Sequence, residues 1–170
     1  MLLRNQLRYK AWADRRTLDA VAKIDAHRFP SALAFARQQL NHMVRVEELF
    51  RARLLGEPDP HSSTNSETVP ELSELDRRLS ESNAWLQAYV ESLPATQLSQ
   101  TIRFAFVDGK RGTLSREEAL FHFVNHGTYH RGAIGHALDL AQAPRPADTY
   151  TVFIHSAEPN RRGDQPAKKK

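Results

Sequence analysis

His122, His126 and His130 recur at steps of four within residues 118–140, EALFHFVNHGTYHRGAIGHALDL. On a helix turning about 100° per residue, an i, i+4 pair lies about 40° apart around the axis, so two imidazoles point into one small volume. Neutral imidazole is the commonest metal ligand, and a rigid helix holds two of them at little further entropic cost. No glutamate follows His122, and Gly127 follows His126, which excludes the HExxH protease helix. The plain alternative is a set of partly buried or surface imidazoles, since the chain has eight histidines.

A third ligand must come from His27, His42, His61, His122, His136 or His155. Three ligands in a straight row on one helix diverge by about 6 Å per step and cannot all reach an ion at about 2.1 Å, so His122 is set aside. His136 lies about 240° around the helix from His130. His27 and His61 fall in expected loops and His155 near the C-terminus, which leaves His42, beside the apolar stripe of an earlier helix. Asn125, Thr128, Tyr129 and Arg131 surround the pair with hydrogen-bonding groups suited to holding imidazole tautomers or a substrate. Tyr129 and Arg131 project about 100° to either side of His130, so at most one reaches a shared cleft. For Arg131 a salt bridge or dimer contact stands level with substrate binding. Gly127, Gly132 and Gly135 each cost a helix interior about 1 kcal/mol, which reads as clearance for whatever approaches the metal.

The elements that must position these residues are mostly helical. Apolar residues recur near every 3.6 positions over 1–24, 31–55 and 70–93. Ser31 is a candidate N-cap for the second helix and Pro70 a first-turn residue for the third. The second stripe runs through Leu33, Phe35 or Ala36, Leu40, Met43, Val46, Leu49, Phe50 and Leu54. A polar stretch over 57–70 is long for a connection and reads as a crossover or lid. Alternation at Ile102, Phe104 and Phe106, then Asp108-Gly109, predicts a short β-hairpin. Ser115 and Glu118 form a capping box that opens the histidine helix, expected to run to about residue 143. Residues 149–155 read as a short extended piece. The fold class is therefore all-α, a four-helix bundle with a hairpin before its last helix, over 1–155, and such bundles bind metals between facing helices.

Composition narrows the function classes. With no cysteine, the chain has no thiolate nucleophile, disulfide framework or Cys-based zinc site. Of the net charge of +4, +3 belongs to residues 156–170, which read as a disordered basic tail, and the nearly neutral body argues against nucleic acid. No apolar run approaches membrane-span length, and Arg, Lys and Asp throughout the first helix leave no signal-peptide core, so the expected location is cytoplasmic.

The run HFVNHGTYHRGAI over 122–134 closely resembles the signature helix of the DinB family, the YfiT-like metal-binding bundles. Tyr9-Lys10-Ala11-Trp12-Ala13-Asp14 resembles the family's YNxWAN pattern, with Lys10 and Asp14 in place of the usual asparagines. Leu40-Asn41-His42, followed by Glu47, Phe50, Arg53 and Gly56, resembles its LxH motif, with Phe50 where Trp is frequent. The resemblance covers 1–155 and implies an up-down-down-up bundle, often dimeric. It also implies a divalent metal on His42, His126 and His130 with water completing the shell, and places His122 in a supporting or core role. The expected ion is zinc, nickel or iron, which share this donor set. The implied chemistry is that of a metal-dependent thiol S-transferase or hydrolase acting on a small electrophile, with a low-molecular-weight thiol as cosubstrate. A non-catalytic, stress-responsive metal- or ligand-binding bundle is the alternative. Glu47 reads as a surface carboxylate, a general-base role being second.

Overall fold

A computed structural model describes residues 2–163. Five helices and one two-stranded sheet make up the fold: α1 (Leu2–Val21), α2 (Pro30–Leu55), α3 (Leu72–Ser92), β1 (Thr101–Ala105), β2 (Arg111–Ser115), α4 (Arg116–Leu140) and α5 (Tyr150–Ala157). Short 3-10 turns occupy Ala95–Gln97 and Pro159–Arg161. Helices α1 and α2 each pack against both α3 and α4, so all four apolar stripes face one interior.

Local chemistry sets the boundaries. Pro30 opens α2 one residue before the expected cap Ser31, which lies inside the helix; the preceding turn is held by Asp25, whose carboxylate accepts from the His27 and Arg28 amides. Gly56, at φ +72°, closes α2 in the left-handed conformation open to glycine. Helix α3 begins at Leu72, two residues after Pro70. Ser115 and Glu118 form the reciprocal capping box at the start of α4. The hairpin pairs Thr101 with Ser115 and Ala105 with Arg111, and Gly109, at φ +83°, makes its turn.

Residues 149–155 are not extended. The Thr149 side chain accepts the Val152 amide, starting α5, which buries Phe153 and Ile154 in the core, with the Phe153 ring against Tyr9 and Trp12 of α1. Ordered structure thus continues past Ser156, where the sequence reading places the start of a tail; residues 164–170 lie outside the described residues. The 57–70 connection runs back along α2. Arg53 binds Asp59, Glu48 contacts His61, Arg45 donates to the Ser63 carbonyl, Asn41 to Ser66 and Arg37 to the Val69 and Pro70 carbonyls.

The interior consists of two apolar clusters with a polar layer between them. Leu7, Phe50, Leu86 and Phe123 belong to one cluster; Leu18, Leu40, Leu79 and Ile134 belong to the other. Between them each long helix contributes a polar group: Lys10 and Asp14 from α1, Glu47 from α2, Asn83 from α3 and Arg131 from α4. Lys10 Nζ donates to Asp14 at 2.7 Å and to Asn83 at 2.8 Å, and stands 2.8 Å from Glu47 Oε1, an ion-pair distance without hydrogen-bond alignment. Arg131 donates to Asp14 and Asp148, each at 2.8 Å, and Tyr9 donates to Asp148 at 2.6 Å. Burial alone would lower the Lys10 pKa, but Asp14 and Glu47 outweigh it and hold it above its ordinary value. Burial opposes ionisation of Asp14 as well, and Lys10 and Arg131 reverse that, so Asp14 lies below the usual carboxylate range.

Candidate metal centre

Helices α2 and α4 meet at the level of this polar layer, and His42 projects from α2 toward His126 and His130 on α4. One ring nitrogen from each of the three lies within 4.8 Å of the others. His42 Nε2 and His126 Nε2 are 3.1 Å apart, and the His130 ring centroid is 4.6 Å from that of His42 and 4.4 Å from that of His126. Two nitrogens each about 2.1 Å from one ion in tetrahedral coordination stand about 3.4 Å apart, so the spacing suits a shared cation with small adjustment.

The protonation chemistry suits a cation as well. Burial first, then the proximity of His130, His122 and His42, lowers the His126 pKa to about 3. Burial and then His42 lower that of His130 to about 4. Both rings are neutral at neutral pH, the form that donates a lone pair to a metal. Gln39 Oε1 lies 2.6 Å from His130 Nδ1. A carbonyl oxygen only accepts, so Nδ1 carries the proton and the Nε2 lone pair is free. Sequence reading misses Gln39, although its place one turn before His42 on the same helix face is the available signal.

The other expected site residues separate into distinct environments. His122 is half-buried, its ring 4.6 Å from Phe50 and 5.1 Å from His126, outside the three-nitrogen cluster. Burial, followed by the charge of Arg53, lowers its pKa. Asn125 is exposed. Tyr129, 75% exposed, sets its ring edge-on to His130 at 5.1 Å. Arg131 is buried within the polar layer, with Asp14 and Asp148 as its counter-ions.

Two expectations are corrected. Glu47 is not a surface carboxylate: it is 2% exposed, beside Lys10, and accepts from Ser82 at 2.5 Å, while burial raises its pKa. The α4 glycines do not face the histidines. A Cβ on Gly127 would stand 2.7 Å from Arg131 Nη1 and 3.8 Å from Lys10 Cε; one on Gly135 would meet Arg145 at 2.5 Å; one on Gly132 would meet nothing within 4 Å. Gly127 therefore clears a path for the Arg131 guanidinium to the polar layer.

The sequence profile of the DinB family matches residues 1–165, and the chain belongs to that family. Comparison with curated proteins and with solved structures gives no match. No helix among the described residues is long and apolar enough to cross a membrane.

Proposed function

We propose that this chain binds one divalent metal ion through His42, His126 and His130, with water in the remaining positions, inside an up-down-down-up four-helix bundle of α1 to α4. The observation that carries the reading is the convergence of three ring nitrogens from two helices within 4.8 Å. Zinc, nickel and iron suit the donor set. An ion held by three imidazoles supplies an open coordination position at which a water or thiol is activated.

The chain's own residues hold the His126 and His130 imidazoles neutral and fix the His130 tautomer through Gln39. His122 braces His126 from the Phe50 side, and Tyr129 and Asn125 form an exposed rim for a substrate. The reaction class we favour is thiol S-transfer to a small electrophile, or hydrolysis. Because the chain has no cysteine, the thiol is a low-molecular-weight cosubstrate. By family resemblance the protein works as a homodimer on small molecules; the nearly neutral body argues against nucleic acid, and the expected location is cytoplasmic.

A non-catalytic, stress-responsive binding bundle is the second reading, and one observation favours it. Glu47 and Arg131, the two motif residues best suited to act on a substrate, are both engaged in buried ion pairs. Metal content by mass spectrometry, followed by a panel of thiols and electrophiles, separates the readings. One ion per chain with His126-dependent turnover supports the enzyme; one ion without turnover supports the binding bundle. Absence of metal binding in the wild-type protein sinks the metal site and the enzyme built on it, and leaves a bundle that binds another ligand.

A further inference from the structure

Phe35 precedes His42 by seven residues and Ala137 follows His130 by seven, and seven residues are within about 20° of two full turns. Both therefore lie on the histidine-bearing sides of their helices, about 10 Å along the axis. Here, between the start of α2 and the end of α4, is a cavity of about 410 Å³ lined by Phe29, Phe35, Ala137 and Leu140 together with Arg28 and His136. That volume falls within the range of about 300–1,000 Å³ usual for small-molecule sites.

Two features select the occupant. Phe35 and Leu140 remain 44% and 63% exposed, so the walls present large apolar side chains to solvent. The charged groups are cationic or basic only: no carboxylate lines the cavity. The Arg28 guanidinium stands over the Phe29 ring, 5.1 Å from its centroid, and among the described residues it has no ion-pair partner.

We propose that this cavity binds a small aromatic or branched-aliphatic anion, its apolar body between Phe35 and Leu140 and its anionic group on Arg28, with His136 as a second donor. The affinity is a property of the cavity alone. That the bound molecule is also the one presented to the histidines rests on the metal-binding reading above.

Titration of the metal-free full chain with 1-naphthoate, and separately with the uncharged 1-naphthylmethanol, tests the site by calorimetry. Saturable binding of one naphthoate per chain is expected. Phe35→Asp and Leu140→Glu, each at an exposed position, should abolish it, whereas His126→Ala should leave it unchanged. Arg28→Gln should weaken naphthoate about tenfold and the alcohol little, as expected for loss of one charge-assisted contact. Absence of saturable binding, indifference to both wall variants, or equal loss of acid and alcohol in Arg28→Gln overturns the proposal. Sedimentation of the same variants covers the remaining case: a dimer that Phe35→Asp splits into monomers makes the cavity a subunit interface and overturns it too. Naphthoate binding in a protein that takes up no metal counts against the metal reading alone.

Discussion

Gln39 holds His130: the amide oxygen accepts the Nδ1 proton at 2.6 Å, from a position one turn before His42 on the opposing helix. One short stretch of α2 thus provides a candidate ligand and the group that orients another. Partners of this kind typically contribute about 10–100-fold to metal affinity. Gln39→Ala should weaken zinc binding by about that factor in a chelator competition while leaving the fold intact by circular dichroism. Unchanged affinity would separate Gln39 from the site.

The glycines of α4 should behave oppositely to one another. Gly132→Ala meets nothing within 4 Å, so it should gain about 0.5–1 kcal/mol from helix propensity. Gly127→Ala sets a methyl 2.7 Å from Arg131 Nη1, which is buried and fixed on Asp14 and cannot swing aside. We expect a loss of about 1–3 kcal/mol, as for other overpacked sites. Urea midpoints of the two variants decide the matter, and a shift of the same sign in both would remove the clearance argument.

Asp14 is the shared counter-ion of Lys10 and Arg131. Its removal leaves two cations in the interior with one fewer partner. Asp14→Ala should therefore cost about 3–5 kcal/mol, the range for breaking a buried pair from one side. Chemical denaturation gives the number directly; a cost below about 1 kcal/mol, the size of an exposed pair, would mean that water reaches the layer.

Acid should destabilise the metal-free protein through the histidines. The folded pKa of His126 is lowered to about 3 from an ordinary 6.5, with burial as the main cause. The fold favours the neutral ring, whereas the unfolded chain takes up a proton near pH 6.5. The contribution is therefore complete above about pH 6.5 and is lost as pH falls toward the folded value. Asp14, also lowered, works in the same direction at more acidic pH. Denaturation midpoints at about pH 7.5 and about pH 5 should differ more for the wild type than for His126→Gln. Equal differences would show that His126 is not the group responsible.

Helix α4 and its hairpin are legible because their signals are local: Ser115 and Glu118 lie three residues apart, and Asp108-Gly109 marks the turn. The approach of His42 to the α4 pair follows from spacing and elimination, since few other positions reach the same volume. Helix α5 is not legible, because Thr151, Val152 and Ile154 carry β propensity; the Thr149 cap and the docking of Phe153 on α1 prevail over it. Glu47 misleads for a different reason. A carboxylate on an amphipathic helix reads as solvated unless its counter-ion is known, and Lys10 lies 37 residues away on another helix. The glycines mislead similarly: each lies near the histidines in sequence, while the group Gly127 accommodates points into the core.

The polar layer also constrains the order in which the protein can be made. Its members lie at positions 10, 14, 47, 83, 131 and 148, almost from one end of the chain to the other. A chain emerging residue by residue from the ribosome has Lys10 and Asp14 early, but Arg131 lacks its second counter-ion until Asp148 appears. The helices can form as they emerge, yet the layer cannot hold its full set of ion pairs before position 148 is outside. Closure of the layer thus waits for residue 148, and a chain cut short before it leaves Arg131 with the carboxylate of Asp14, which Lys10 shares.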